Sequence, residues 1–108
     1  MESEGDRLLT IVSALANPHR LRIIGALTVQ GRTYVSKLAR EIGISRPLLH
    51  LHLRKLEEAG LVSSRLELSS DGKALNFFEV TAFDIDLTPH SIAAVAGTLN
   101  LPASTSTD

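Results

Sequence analysis

The sequence predicts one mainly α-helical domain that contains a single β-hairpin. The first observation is a series of apolar-periodic segments separated by Gly, Pro and Asn residues, as expected for short helices. The second is "SSDGK" at 69–73, a strong turn signal between two β-rich runs. The third is size, because 108 residues with 44% apolar side chains can bury the core of one compact domain.

Composition excludes several kinds of site and location. The chain has no cysteine, which excludes disulfides, thiolate metal ligands and thiol redox switches. No apolar run reaches the ~18 residues of a membrane span, and the N-terminal "MESEGDR" is acidic rather than signal-like. We therefore expect a soluble, cytoplasmic protein with no membrane partner.

Charge is distributed unevenly, although the net charge is only −1. Residues 17–73 contain ten basic and five acidic residues, a net charge of +5, whereas the remainder contains one basic and seven acidic residues, a net charge of −6. A cationic middle between anionic ends is typical of a polyanion-binding segment. Ordinary solvated charge is the alternative, and charge alone does not decide between the two.

The first predicted helix, in "DRLLTIVSALAN", has apolar residues on more than one face: Leu8, Leu9, Ile11, Val12, Leu15 and Ala16. Such a helix needs more than one apolar neighbour. In so short a chain, a second copy of the protein is a candidate for that neighbour.

The second predicted helix begins at Asn17 and Pro18, a cap and first-turn pair, and ends at Gly31. Its predicted apolar stripe comprises Leu21, Ile24 and either Leu27 or Thr28. A third, short helix follows in "YVSKLAREIG" and stops at Gly43.

The stretch "SRPLLHLHLRKL" at 45–56 allows two interpretations. Its alternation fits a half-buried strand, on which His50 and His52 would share one side like a pair of metal ligands. A cap at Ser45, Pro47 in the first turn and a leucine stripe favour a helix over about 46–59. The two histidines then lie about 200° apart, and the close spacing to the preceding helix gives a helix-turn-helix.

The C-terminal part is predicted to contain a hairpin over about 62–81 and a last helix that starts at Thr88 and Pro89. The apolar stripe of this helix is Ile92, Val95, Ala96 and Leu99. We expect the domain to span 1–101 and residues 102–108 to form a disordered tail.

Three segments, "LANPHRLRIIGAL", "VSKLAREIGISRPLLHLHLRKLEEAGLV" and "SSDGKALNFFEV", resemble the ArsR-like winged helix-turn-helix transcriptional regulators over roughly residues 8–99. The core and turn positions that carry the resemblance are Leu38, Ala39, Gly43, Leu49, Leu53 and Leu56. The resemblance implies that the helix at 46–59 enters the DNA major groove and that the hairpin is a wing at its flank. It also implies a two-fold dimer formed by the first and last helices.

Two departures from that family argue against metal sensing. Many metal-sensing members carry a cysteine pair before the recognition helix, where this chain has "YVSKLAR". Other members use Asp and His on the last helix, and here nothing after His90 completes a set with Asp84 and Asp86. We therefore predict no metal and no cofactor.

The predicted DNA contacts lie before, on and after the recognition helix: Ser36, Lys37, Ser45, Arg46, Pro47, Leu48, His50, Leu51, Arg54, Arg65 and Lys73. Arginine pairs with guanine edges, an exposed leucine suits a thymine methyl, and a helix N-terminus attracts phosphate. The alternatives are a plain surface histidine at position 50 and an Arg54 that pairs with Glu57 or Glu58. The predicted dimer interface comprises Leu8, Ile11, Val12, Leu15, Ile92, Val95 and Leu99.

These assignments predict a homodimeric repressor that binds a specific double-stranded DNA sequence, with an effector that the sequence does not identify. A winged-helix module that binds protein through Leu48 and Leu51 is the alternative. We predict no enzymatic activity, because the sequence has no glycine-rich phosphate loop and no nucleophile paired with a base.

Overall fold

The computed structural model describes residues 2–100 as five helices and a three-stranded antiparallel sheet. The helices are α1 (Glu4–Leu15), α2 (Pro18–Gln30), α3 (Val35–Ile42), α4 (Arg46–Glu58) and α5 (Pro89–Ala96). The strands are β1 (Thr33–Tyr34), β2 (Val62–Leu68) and β3 (Ala74–Val80), in the sheet order β1-β3-β2. The predicted order of helices and hairpin is confirmed, and the predicted tail at 102–108 lies outside the described residues. Within 2–100, no helix combines the length and apolar character needed to cross a membrane.

The core lies where α2, α3 and α4 meet the start of β2. Its fully buried side chains are Ile23, Leu27, Leu38, Leu49, Leu53, Leu56 and Leu61. The stripe at 49, 53 and 56 confirms that 45–56 forms a helix rather than a strand. Ser45 caps this helix by accepting a hydrogen bond from the Leu48 N–H at 3.3 Å.

The predicted stripe of α2 is wrong in part. Ile23 and Leu27 are buried, whereas Leu21 is 57% exposed and Thr28 is exposed as well. The inward face of α2 is centred on Ile23 and Leu27, and Arg20 turns inward beside them. Arg20, Ile23 and Leu27 are spaced by three and four residues, so they share the inward face.

Arg20 connects three helices through two hydrogen bonds. Its Nε donates to the Ala14 carbonyl of α1 at 2.6 Å, and its Nη1 lies 3.1 Å from His52 Nδ1 on α4. Because a guanidinium has no acceptor, Nδ1 of His52 must accept, and the neutral ring carries its proton on Nε2. Burial lowers the pKa of His52, and the charges of Arg20 and His19 lower it further. His52 is buried, with 7% of its surface exposed.

The turn between α3 and α4 depends on a left-handed residue. Gly43 has φ 82°, and its N–H donates to the Ala39 carbonyl at 2.8 Å. A residue with a Cβ adopts this conformation only at a steric cost. The three-residue connection 43–45 therefore sets the angle between the two helices.

The hairpin forms as predicted, with β2 and β3 paired from Val62–Val80 to Leu68–Ala74. Its turn is closed by the Gly72 N–H, which donates to the Ser69 carbonyl at 2.9 Å. Strand β1, which was not predicted, pairs with the outer side of β3 through Thr33 and Tyr34. Two residues give too little periodicity to identify a strand.

Helices α1 and α5 pack side by side at a glycine. The Gly5 N–H donates to Thr98 Oγ1 at 2.7 Å, and a Cβ at this position would lie 2.6 Å from the Val95 carbonyl oxygen. Next to it, the Asp6 carboxylate accepts hydrogen bonds from the Asn100 backbone N–H at 2.8 Å and side-chain amide at 2.6 Å. These hydrogen bonds hold the end of α5 against the start of α1.

Replacement of Gly5 by Ala is expected to separate α5 from α1, because the new methyl group collides with backbone as well as with Thr98. Overpacking of this kind costs about 1–3 kcal/mol of unfolding free energy. Urea denaturation followed by circular dichroism measures the loss. Gly25→Ala is the matched control, because a Cβ there meets nothing within 4 Å and should stabilise α2 by about 0.5–1 kcal/mol. Equal stability of the Gly5→Ala variant and the parent would contradict this packing.

Stability should fall as the pH is lowered through about 6.5, because the unfolded chain protonates His52 while the folded chain keeps it neutral. His52→Gln retains an acceptor for Arg20 but does not titrate, so the change in urea midpoint between pH 7.5 and pH 5 should become smaller. His50→Gln, an exposed change on the same helix, is expected to keep the parent's pH dependence. If His52→Gln kept it too, His52 would not be its source.

Candidate nucleic-acid interface

The outward face of α4 is the centre of the candidate site. Its buried face consists of Leu49, His52, Leu53 and Leu56. The predicted contact residues on α4 are all exposed: Arg46, Pro47, Leu48, His50, Leu51 and Arg54. The packing that buries one face of α4 therefore presents the other to solvent as a continuous surface.

The arginines on this face are not neutralised by any carboxylate among residues 2–100. Among residues 2–100, the ion pairs are Arg32 with Glu67 and Lys37 with Glu41. Arg54 has no such partner in that range, and Glu57 instead accepts a hydrogen bond from Ser64 Oγ at 2.7 Å. Unpaired arginines on an exposed face are available to contact phosphates or base edges.

A cavity of about 220 Å³ joins this face to its neighbours. It is lined by α4, the junction of β1 with α3, and the start of β3: Tyr34, Val35, Ser36, Arg46, His50, Ala74, Leu75 and Asn76. The cavity brings Ser36, Arg46 and His50 together, three residues that were predicted separately. It lies beside the N-terminus of α3, where the cap residue Tyr34 makes no side-chain hydrogen bond.

Lys37 is less available than Ser36. Its Nζ donates to Gln30 Oε1 at 3.2 Å and lies 3.9 Å from Glu41 Oε2. An exposed pair at that distance contributes little, so the ammonium group can exchange Glu41 for another anion at small cost.

The wing positions two further cations. Arg65 is exposed on β2, and Lys73 follows the Asp71–Gly72 turn. The Lys73 N–H donates to Ser69 Oγ at 3.1 Å, which fixes the backbone at the tip while the ammonium group stays exposed. Ser69 Oγ also donates to Asp71, and this hydrogen bond lowers the pKa of that carboxyl.

An ion pair that was not predicted, here called the Arg32–Glu67 brace, connects the wing to the segment between α2 and β1. Arg32 donates two hydrogen bonds to the Glu67 carboxylate, at 2.7 and 2.6 Å, and its guanidinium carbon lies 4.3 Å from the centre of the Phe77 ring. The hydrogen bonds from Arg32 lower the pKa of Glu67. Arg32 and Glu67 are 35 residues apart in the sequence, which explains why no local pattern indicated the pair.

The predicted dimer residues fall into two groups. Leu8, Val12, Ile92, Val95 and Leu99 line an apolar groove of about 370 Å³ between α1 and α5, together with four residues that were not predicted: Gly5, Leu9, Leu87 and Ala96. Ile11 and Leu15 instead pack against the protein's own core. The groove is thus assembled from one face of α1, whereas the helix's other apolar face is already covered within the chain.

Within residues 2–100, no three His, Cys, Asp or Glu side chains are grouped so that they could hold a metal ion. His50 and His52 lie on opposite sides of α4, one exposed and one buried.

Comparison with known proteins identifies related regulators. A family model for a helix-turn-helix domain matches residues 15–65. An HTH-type transcriptional regulator of Methanocaldococcus jannaschii is 47% identical over 55 residues, which are 51% of this chain and 57% of that protein. The chain matches between 43% and 57% of the length of its curated relatives.

Two solved structures share the fold over most of the chain. One is the homodimeric winged helix-turn-helix DNA-binding domain of a possible ArsR-family regulator from Mycobacterium bovis, with TM-score 0.63 and 25% identity, covering 82% of this chain and 70% of that one. The other is the transcriptional repressor BigR of Xylella fastidiosa, with TM-score 0.58 and 30% identity, covering 68% of this chain and 69% of that one.

Proposed function

The chain belongs to the ArsR-like winged helix-turn-helix transcriptional regulators, and on this basis we propose that it is a homodimeric repressor that binds a specific DNA sequence. In this proposal α4 is the recognition helix and lies in the major groove. The hairpin β2–β3 is the wing and contacts the flanking DNA.

The observation that carries the proposal is the outward face of α4. Arg46, His50 and Arg54 are exposed there, and the two arginines have no carboxylate partner within residues 2–100. The major groove admits one α-helix and displays guanine N7 and O6, which accept two hydrogen bonds from arginine. A helix that buries leucines on one side and presents arginines on the other suits this geometry.

Phosphate contacts would come from the elements on either side of α4. The first-turn N–H groups of α3 lie beside Ser36, and the lack of a capping side chain at Tyr34 leaves them available to an anion. On the other side, Arg65 and Lys73 extend the cationic surface along the wing. Such contacts position the protein on the duplex but do not read its sequence.

The dimer would form at the groove between α1 and α5. Its apolar side chains include Ile92, 44% exposed, Leu99, 38% exposed, and Leu87, 54% exposed. Burial of this surface against a second copy removes apolar area from water. The related Mycobacterium bovis domain is homodimeric, which supports the same assembly here.

A dimer also explains how a small domain attains specificity. One recognition helix reads only a short half-site, whereas two helices held about 34–36 Å apart read both halves of a palindrome. We therefore expect a two-fold symmetric operator, and the cytoplasm as the compartment in which repression occurs.

Selection of bound fragments from genomic DNA should yield a common palindromic sequence. Replacement of Arg46 and Arg54 by Ala should weaken binding to that sequence by about hundredfold or more, because each bidentate contact with guanine contributes ~1–3 kcal/mol. Electrophoretic mobility shifts at fixed salt measure the change.

The matched control replaces Arg7 and Arg22, two arginines outside the α4 face. This variant carries the same change in net charge and should lose far less affinity, whereas a general electrostatic effect would weaken both variants alike. Binding of the Arg46/Arg54 variant as tight as that of the parent would show that α4 is not the recognition helix.

The dimer is tested at Val95, which lines the groove. Val95→Asp places an unpaired charge in the apolar interface and should produce monomers by light scattering. Val29→Asp introduces the same charge at a position that is 89% exposed on α2 and should leave the dimer intact. An unchanged dimer in the Val95→Asp variant would exclude this groove as the interface.

A further inference from the structure

From Arg46 to Arg54, the outward face of α4 has basic side chains along one side and apolar side chains along the other. At about 100° per residue, Arg46, His50 and Arg54 follow one side of the face. Pro47, Leu51 and Leu48 follow the other. Leu51 is 55% exposed and Leu48 is 38% exposed.

The core does not account for the exposed leucines. The buried stripe of α4 is complete with Leu49, Leu53 and Leu56, which are at most 1% exposed. Neither Leu48 nor Leu51 belongs to the buried core or to the partly buried side chains packed against it. Two neighbouring leucines and a proline that the core does not use, here called the apolar strip, lie on one exposed face and indicate a contact surface.

The charges beside the strip indicate what covers it. Arg54 and Lys55 are exposed on either side of Leu51, and neither is in an ion pair within residues 2–100. Glu58 lies at the last turn of the helix, away from Leu48. The apolar strip is therefore in the N-terminal half of α4, which is the part of a recognition helix that meets the base edges.

In the major groove, an apolar strip between cations is suited to contact one kind of base. Thymine alone among the four bases presents a methyl group there, and it is read by apolar contact. We propose that Leu51, assisted by Leu48, contacts thymine methyl groups, so that each half-site contains thymine next to a guanine read by Arg46 or Arg54. This inference rests on the proposed function, because it requires α4 to lie in the major groove.

The effect of one thymine methyl can be estimated from the transfer free energy of a single buried carbon group, which corresponds to about fourfold in affinity. A two-fold operator carries the contact twice. Removal of the methyl from both half-sites should therefore weaken binding by about fifteenfold.

The experiment replaces thymine by deoxyuridine in the selected operator, one symmetric pair of positions at a time. Deoxyuridine keeps the base pairing and lacks only the methyl group. For the parent protein, at least one symmetric pair should weaken binding by about fifteenfold. For Leu51→Ala the thymine operator should bind about equally weakly, and the same uracil substitution should have little further effect.

Leu21→Ala is the matched control, since Leu21 is 57% exposed but lies on α2. It should bind the thymine operator like the parent and keep the parent's sensitivity to uracil. Circular dichroism checks that each variant remains folded, as expected for substitutions of exposed leucines.

The outcomes separate this inference from the proposed function. If selection yields no sequence, the proposed function fails. If a sequence is selected but tolerates uracil at every position, or if Leu51→Ala retains the parent's uracil sensitivity, only the thymine contact is overturned. If Leu51→Ala binds the operator normally but no longer binds a protein that the parent captures, the leucine strip is a protein-docking surface and the inference is likewise overturned.

Discussion

The packing of the leucine stripe of α4 is the constraint on which the rest of the structure depends. Leu49, Leu53 and Leu56 are at most 1% exposed, and they fix the rotation of α4 about its axis. Because a helix repeats every 3.6 residues, this choice places Arg54 and Leu51 on the opposite side. A helix turned by one residue position would bury a charged side chain and expose the core, so the same leucines determine both stability and which residues the outward face of α4 presents to solvent.

The same face contains the only polar side chain buried on α4, and its presence changes how α2 packs. His52 needs a donor for its Nδ1 atom, and Arg20 supplies it from α2 while also binding the Ala14 carbonyl. Arg20 shares the inward face of α2 with Ile23 and Leu27 while Leu21 is exposed, so the stripe predicted from the apolar residues of α2 was wrong at Leu21. A buried polar group that has a hydrogen-bond partner destabilises the fold less than one without a partner. The hydrogen bond from Arg20 therefore lowers the cost of burying His52.

The features that arise from local chemistry were predictable from the sequence. Caps at Asn17, Ser45 and Thr88 and the turn at Asp71–Gly72 act within a few residues, and all are found. Features that join distant segments were missed: the pairing of β1 with β3, the Arg32–Glu67 brace and the contact of Gly5 with Thr98. The face of α4 was predictable because one helix defines it, whereas the division of α1 between core and groove depends on where α5 packs.

The groove between α1 and α5 bears on the stability of α5. It has eight residues and none of them is buried, whereas isolated helices shorter than about 12 residues are marginal in water. Its capping box at Thr88 and the hydrogen bonds of Thr98 and Asn100 to α1 hold its two ends, but they bury little apolar area. Covering the groove would supply that missing burial. Since α1 is also hydrogen-bonded to Arg20 through the Ala14 carbonyl, the groove is built on a helix that one arginine connects to the buried face of α4.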